Sequence, residues 1–335
     1  MMRSARTLRL RTGAVALSLA VLAISCGSGS DYAGGGTGGT GISTGTITAF
    51  GSVVVNGVHF RTDGAVAPGF RTKKLFNGAD HSSRADREVF AVGMVVTVRH
   101  GAADNDASEI DYRNNVTGPV SEIVSGTDNV VYVLGQTVVV DNAAAFAALK
   151  RNDVVEISGF ADNVGRIVAT SIFPSLPPNN EFQASGYVSG LSAANAEFRL
   201  GPLPGGAGST VAVSYDAAAI STLAAGLADG MYVQVVTTDR EPVNGVIAAA
   251  RIARISARTE FPDGTAVDLE GLITTPWGGA PGELSFAVEG KRVQWDATTA
   301  FDGGTADDLR SGNRNVRVHG TETSGTVSAA RVELR

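Results

Sequence analysis

The chain has 335 residues, 43% of them hydrophobic, which is enough to bury two or three ordinary cores or several small ones and excludes wholesale disorder. It carries 27 basic and 33 acidic residues, and this acidic balance argues against binding driven by nucleic-acid phosphates. A single cysteine excludes a disulfide framework and a thiolate metal cluster, while 42 glycines indicate many turns, as in an all-β chain of short strands.

The N-terminus has the features of an export signal. Four arginines precede the apolar run from Gly13 to Ile24. This run is far shorter than the ~20 residues that cross a bilayer. A basic start, a short apolar run and small residues after it predict a signal peptide over residues 1–25.

The sole cysteine, Cys26, stands directly after this signal. With Leu22, Ala23 and Gly27 around it, the segment resembles the bacterial lipobox, although that pattern usually has Leu where this chain has Ala23. The resemblance implies a diacylglycerol on Cys26, an extracytoplasmic protein held to the membrane by its lipid and, because Gly27 is not Asp, the outer membrane. An ordinary signal with a chance cysteine near its end is the alternative.

Residues 26–43 are rich in Gly, Ser and Thr and predict a flexible tether. The stretch Gly36–Gly41 matches GxGxxG formally. A dinucleotide site needs a strand before that motif and a helix after it, and here a signal precedes it. We therefore interpret the match as low-complexity sequence.

The rest of the chain contains four copies of one pattern. Each copy opens with a glycine beside β-branched or aromatic residues, followed by two alternating strands joined by a tight turn. The turns contain Asn56-Gly57, Gly135 and Glu289-Gly290, and the third copy has a longer loop instead. Asn-Gly between alternating runs favours a hairpin because both turn residues take positive φ.

A short helix and two more strands complete each copy. The helix is clearest at Asn142–Leu149 and Asp216–Leu227, both rich in alanine. The order of three strands, a short helix and two strands is that of the five-stranded OB-fold barrel. The sequence thus predicts an all-β tandem array of four five-stranded OB-like barrels, each with one short helix. A sandwich of consecutive hairpins is the alternative, but it does not explain the helix.

The predicted boundaries follow the repeats and the Pro-rich joins. They are barrel 1 at 44–113, barrel 2 at 114–173, a linker at 174–182, barrel 3 at 183–257, a linker at 258–267 and barrel 4 at 268–335. We refer to the four barrels as copies 1 to 4.

The signal, the tether and the segments 41–53 and 55–60 resemble bacterial lipoproteins that carry repeated copies of the secreted domain of unknown function 5666. The likeness is closest over residues 26–60 and weaker toward the C-terminus. It implies an extracytoplasmic array of small β-barrels and brings no assigned chemistry with it.

Motifs for catalysis or metal binding are missing from the sequence. It has no HExxH, CxxC, GxSxG or P-loop pattern, and the four histidines are scattered. His100 and His319 end the fourth strand of copies 1 and 4, and we expect repeat geometry to keep them from sharing a metal. We predict no catalytic residues, no metal and no cofactor. For ligand binding we select Phe70, Lys73, Lys74 and Phe76, in the long basic loop of copy 1.

Two classes of function follow. The first is a lipid-anchored extracytoplasmic module of the cell envelope that binds a polymer or protein partner or serves as structure, and nucleic acid is not an expected partner. The second is an envelope hydrolase, or an accessory subunit of an enzyme that acts on polysaccharide, using carboxylates from different copies. The shortage of tuned acid–base groups favours the first.

Overall fold

The computed structural model of the protein describes residues 40–101, 104–223, 226–280 and 282–335. The predicted signal peptide, Cys26 and the tether up to residue 39 lie outside these ranges. The structure is all-β and contains closed five-stranded barrels, as the sequence predicts. Within the described ranges, no helix is both long and apolar enough to cross a membrane.

Copies 1 and 2 consist of short strands with one α-helix each. Copy 1 contains β1 (Thr40–Phe50), β2 (Val53–Val55), β3 (Val58–Phe60), β4 (Lys73–Phe76), β5 (Ala79–Asp80), α1 (Asp86–Val89), β6 (Val95–Gly101) and β7 (Ala107–Tyr112), with a 3-10 helix at Asp63–Ala65. Copy 2 contains β8 (Val116–Val124), β9 (Val130–Val133), β10 (Gln136–Val139), α2 (Ala143–Ala148), β11 (Val154–Ala161) and β12 (Ile167–Pro174).

Copies 3 and 4 have strands in the same order. Copy 3, preceded by a 3-10 helix at Pro178–Asn180, contains β13 (Phe182–Ser192), β14 (Glu197–Gly201), β15 (Val211–Ser214), β16 (Tyr232–Thr237), β17 (Val246–Ala248) and β18 (Arg251–Arg254), with a 3-10 helix at Pro204–Gly206. Copy 4 contains β19 (Ala266–Thr275), β20 (Ser285–Val288), β21 (Lys291–Gln294), β22 (Ala300–Asp302), β23 (Asn315–Thr323) and β24 (Thr326–Leu334), with a 3-10 helix at Ala306–Arg310.

Copies 2 and 4 close through the same cycle of strands. In copy 2 the cycle runs β8, β9, β10, β12, β11 and back to β8. In copy 4 it runs β19, β20, β21, β24, β23 and back to β19. In each cycle the third strand pairs in parallel with the last one. A sandwich of consecutive hairpins has only antiparallel neighbours, so this parallel pair excludes it for these two copies.

Copies 1 and 3 follow the same pairing order with interruptions. The last strand of copy 3 is split, with β17 parallel to β15 and β18 antiparallel to β16. In copy 1 the third and last strands meet at one parallel bridge, Arg61 with Asp106. Next to it, the Ala107 N–H donates to the Arg61 carbonyl oxygen over 2.9 Å.

Three sequence expectations need correction. The predicted helix at Asp216–Leu227 is a series of turns in the described part of that stretch, because the Ile252 N–H takes the Ala219 carbonyl oxygen for pairing with the closing strand. In copy 4 the helix is of the 3-10 type. Strands β1 and β19 begin at Thr40 and Ala266, so the last residues of the predicted tether and of the second linker belong to strands.

The opening glycine of a copy leaves room for the side chain of the hairpin turn. The first turn residue has positive φ in three copies: 56° at Asn56, 47° at Leu134 and 51° at Glu289. Its side chain folds back over the first strand. A Cβ on the opening glycine would overlap it, at Gly45 with Asn56, at Gly118 with Leu134 and at Gly271 with Glu289. The glycine of the sequence pattern is therefore a requirement of close approach.

Strand pairing also joins different copies. Strand β1 of copy 1 pairs in parallel with β19 of copy 4, and β8 of copy 2 pairs with β13 of copy 3. The hydrophobic core of copies 2 and 3 is continuous. Val95, Phe160 and Leu272, from copies 1, 2 and 4, form a small cluster of their own. The copies are thus packed together rather than strung on linkers.

Candidate functional site

Two clefts share the segment Ala257–Arg258, which leads from copy 3 to copy 4. The first is lined mainly by the outer face of copy 1, with Thr97, Arg99, Glu109, Asp111 and Arg113. The second is lined by residues of three copies, Asn115 and Ala161 of copy 2, Tyr187, Pro202 and Tyr232 of copy 3, and Glu289 of copy 4. We call the surroundings of this second cleft the junction.

Arg258 joins the end of copy 3 to copy 2. Its Nη2 atom donates to the Gly159 carbonyl oxygen over 3.0 Å and to Asn115 Oδ1 over 3.3 Å. Its Nη1 atom is buried without a hydrogen-bond partner among the described residues. The expected linker at 258–267 therefore begins with a residue that is fixed to another copy.

Glu289 is the acid of the junction. Its Oε2 atom accepts the Ala161 N–H over 3.1 Å and its Oε1 atom accepts the Leu272 N–H over 3.4 Å. Burial raises the pKa of Glu289 to about 7, against the lowering effects of the nearby Arg258 charge and of these two hydrogen bonds. A carboxyl group with this pKa exchanges its proton near neutral pH, as a general acid or base must.

Two tyrosines form the aromatic wall of the junction. The rings of Tyr187 and Tyr232 meet edge to face, with centroids 4.8 Å apart. Burial raises the pKa of Tyr187 to about 12 and that of Tyr232 above its usual value, so both stay protonated at neutral pH. Together with Asn115 and Thr259 they line the cleft with rings and with hydroxyl and amide groups, and the cleft encloses about 20 Å³, which is room for about one water molecule.

A second buried acid, Glu156, lies between copies 1 and 2. It accepts hydrogen bonds from Tyr112 Oη over 3.0 Å, Asn77 Nδ2 over 3.1 Å and Asn114 Nδ2 over 3.2 Å. Burial raises the pKa of Glu156 in spite of these donors. Glu156 is only 9% exposed, and both of its carboxylate oxygens accept hydrogen bonds. It therefore holds two copies together and offers no free oxygen to a substrate.

Serine, histidine and aspartate meet at the seam of copies 1 and 4. Ser43 Oγ lies 3.2 Å from His100 Nε2 and 3.5 Å from Asp268 Oδ2. His100 Nδ1 donates to the Gly101 carbonyl oxygen, which leaves Nε2 as the acceptor. Ser43 is only 2% exposed, so the hydroxyl has no access to a substrate and the group is a structural network.

The predicted ligand residues of copy 1 do not form one exposed set. Lys74 is fully buried, and its ammonium contacts Asp63 at 2.5 Å, Asp86 at 3.0 Å and the Arg84 carbonyl oxygen. A buried lysine with three acceptors has a structural role, so the structure removes it from the binding candidates.

The three other predicted residues lie nearer the surface. Lys73 is exposed and pairs with Glu109 at 2.8 Å. Phe76 packs against Tyr112, with ring centroids 4.8 Å apart, and Phe70 is half-buried. Cys26, the predicted lipidation site, lies outside the described residues. Within the described ranges, no cluster of three or more His, Cys, Asp or Glu side chains could hold a metal ion.

The sequence reasoning missed Arg258 and Glu289. Glu289 was visible only as half of a turn, and Arg258 only as the start of a linker. One signal was present: at the turn position where copy 1 has Asn56, a residue that tolerates positive φ, copy 4 has a glutamate, which does not favour that conformation. A glutamate at such a position indicates that its side chain makes contacts that offset the unfavourable backbone conformation.

Comparison with protein families supports the repeat that the sequence and the strand pairing show. The model of the domain of unknown function DUF5666 matches residues 117–172 and 270–333, which fall in copies 2 and 4. No curated protein shows significant similarity to the chain. Two matched segments in one chain, each folded as a closed five-stranded barrel, support a repeated DUF5666 domain.

Proposed function

We propose that this protein is a lipid-anchored, extracytoplasmic module of the bacterial cell envelope that binds a polymer or protein partner or serves as structure, and that it is not an enzyme. In this proposal all four copies are OB-like barrels, including the interrupted copies 1 and 3. Cys26 carries the lipid, and the outer membrane is its location.

One observation carries the proposal. The acidic and basic groups that reach from one copy to another are used to hold the copies together. Glu156 joins copies 1 and 2, and Arg258 joins the end of copy 3 to copy 2. Groups bonded in this way fix the copies to one another, and a set of barrels fixed in this manner makes a rigid platform for binding.

OB barrels bind ligands on the face around their second and third strands. The junction fits this mode in copy 4, since Glu289 lies in the turn between β20 and β21 and lines the cleft. The cleft itself has room for about one water molecule, so a polar polymer such as a glycan would contact the aromatic and polar groups around it from outside. The outer part of the copy 1 loop, with the half-buried Phe70 and the exposed Lys73, is the second candidate surface.

The anchor is tested on the mature N-terminus. Mass spectrometry of the protein from its native membrane should find a diacylglycerol on Cys26, and Cys26→Ser should release the protein from the membrane fraction or leave it unprocessed. A mature N-terminus without lipid would contradict the anchor and leave the binding proposal to its own test.

Binding is tested with purified peptidoglycan and lipopolysaccharide as probes. We expect the protein to be retained on at least one of these polymers. If the junction binds the polymer, Arg258→Gln should reduce retention at least fivefold. If the copy 1 loop binds it, the double variant Phe70→Ala, Lys73→Ala should do so. Glu197→Gln, an exposed residue of copy 3, is the matched control. Retention unchanged by both sets, or no retention at all, would leave a purely structural role.

The hydrolase alternative rests on Glu289, whose pKa of about 7 suits a general acid. Turnover of envelope polysaccharides that disappears in Glu289→Gln, while the variant keeps its fold and its polymer binding, would favour the enzyme. Absence of turnover on the same substrates supports the binding module.

A further inference from the structure

The tip of the β20–β21 hairpin of copy 4 reaches beyond its own barrel. Glu289 and Gly290 form the turn, with φ of 51° and 75°. The Glu289 carboxylate accepts one N–H from Leu272 of its own first strand and one from Ala161 at the end of β11 in copy 2. A single side chain thus fastens the tip to its own copy and to a neighbour.

Copy 3 lies on the other side of this turn, and we call the position of the turn between copies 2 and 3 its seat. A Cβ on Gly290 would overlap the ring of Pro204, which lies in the long loop that replaces the tight turn of copy 3. The Gly290 N–H donates to Thr274 Oγ1 over 3.0 Å, which fixes the tip from within copy 4. The turn is therefore in close contact on both flanks, and a small change in its position breaks contacts with copies 2 and 3 together.

The charged and titratable groups that face Glu289 come from several elements. Arg258, on the segment after copy 3, favours the ionised form of the acid. Asp162, next to Ala161, opposes it, although Arg166 pairs with Asp162 at 2.6 Å. Tyr187 on β13 and Tyr232 on β16 line the same cleft and remain neutral.

We propose that the Glu289–Gly290 turn is a proton-sensitive latch: protonated Glu289 holds the copy 4 hairpin in its seat between copies 2 and 3, and loss of the proton loosens it. The latch forms one wall of the junction cleft, so its release would also widen that cleft. This inference does not depend on the proposed envelope function.

The direction of the pH effect follows from the linkage between seating of the turn and proton binding by Glu289. In the seat, burial raises the pKa of Glu289 to about 7 from an ordinary 4.5, so seating takes up a proton between these values. The equilibrium constant for seating is largest below pH 4.5, falls as the pH rises to about 7 and stays constant above that pH. A difference of this size corresponds to a change of at most about 300-fold in the equilibrium constant.

Hydrogen–deuterium exchange of single amides in the full chain tests the latch. We expect protection of the Ala161 amide, corrected for intrinsic exchange, to fall at least tenfold between pH 5.5 and pH 8.0. The Gly159 amide on the same strand is the internal control, because it donates to Asn115 Oδ1, which does not titrate, over 2.9 Å. Its protection should stay constant.

Two variants complete the test. Glu289→Gln, neutral at every pH, should abolish the fall at Ala161, whereas Glu283→Gln, an exposed acid in the loop before β20, should keep it. Ala161 protection that does not change with pH in the wild-type protein would overturn the latch, even if Glu289→Gln failed to fold. A fall shared equally by Gly159, or retained in a folded Glu289→Gln, would also overturn it.

Discussion

The hairpin turns of copies 1 and 4 occupy the same position in the repeat and make contacts of opposite polarity. In copy 1, Asn56 is buried and its Nδ2 atom donates to the carbonyl oxygens of Thr44, over 3.1 Å, and of Asp268 in copy 4, over 3.5 Å. In copy 4, Glu289 accepts N–H groups, one of them from copy 2. Both turns therefore dock one copy on another, one as a donor and the other as an acceptor.

The difference shows how a repeated fold acquires individual interfaces. The turn and the opening glycine are alike in these copies, so the side chain at the first turn position sets the kind of contact that each turn makes with its neighbour and whether that contact responds to pH. Copy 2 completes the series with Leu134, which is 1% exposed and packs in the core of copies 2 and 3. An amide and an aliphatic chain do not titrate near neutral pH, so only the carboxylate makes its interface sensitive to protons.

The largest expected effect comes from filling the space over the opening glycine. In Gly45→Ala the new Cβ would overlap the pinned amide of Asn56, and we expect a loss of about 3 kcal/mol in the free energy of unfolding. Urea denaturation measures it. Gly51→Ala, where a Cβ meets nothing within 4 Å, should cost below about 1 kcal/mol.

The double variant Gly45→Ala with Asn56→Gly distinguishes steric conflict from a general loss of strand stability. Removing the Asn56 side chain removes the two closest overlaps and leaves the one with Glu270 Oε2, at 2.8 Å. Glycine also accepts the positive φ of the turn. The double variant should therefore be less destabilised than the sum of the two single changes. Strict additivity would contradict the role assigned to the opening glycine.

Asn56→Asp should transfer the behaviour of copy 4 to copy 1, with a smaller effect. A buried carboxylate would face two carbonyl oxygens in place of a donor, which we expect to cost about 2 kcal/mol at pH 8. Because burial raises the pKa of such an acid, the cost should shrink as the pH falls. Denaturation at pH 4.5 and pH 8 measures the difference.

The matched control is Asn244→Asp, in the exposed Asn-Gly turn of copy 3. This variant has the same positive φ and the same change of charge, but its side chain is exposed. Its effect on the free energy of unfolding should therefore be small and nearly independent of pH. An equal response of the two variants would mean that the turn conformation, rather than the docking contact, sets the cost.

Local patterns predicted the local structure of this chain well. The turns at Asn56-Gly57 and Glu289-Gly290 and the helix after Asn142 are confirmed, since positive φ and an N-cap are decided within a few residues; Asn142 Oδ1 accepts the Ala145 N–H. The alanine-rich stretch after Asp216 satisfied the same local rules. It forms turns instead, because the Ile252 N–H, from a strand later in the copy, donates to the Ala219 carbonyl oxygen.

The candidate site was less accessible to sequence reasoning. Lys74 was expected at a surface, yet its partners Asp63 and Asp86 come from segments that only the folded loop brings together. Arg258 and Glu289 belong to different copies, and their proximity depends on how the barrels pack. A repeat pattern describes one barrel, whereas the junction is a property of several barrels together.

The smallest expected effect tests the electrostatics of the latch through Arg258. Its positive charge lowers the pKa of Glu289, so Arg258→Met should raise that pKa and move the midpoint of the Ala161 exchange response upward, by about half a pH unit to one unit. The lost hydrogen bonds to Gly159 and Asn115 should cost about 1–2 kcal/mol in addition. Arg254→Met, a change at the exposed last residue of β18, should leave the midpoint in place. An unchanged midpoint in Arg258→Met would mean that the charge does not act on Glu289, because removing a nearby cation favours the protonated acid.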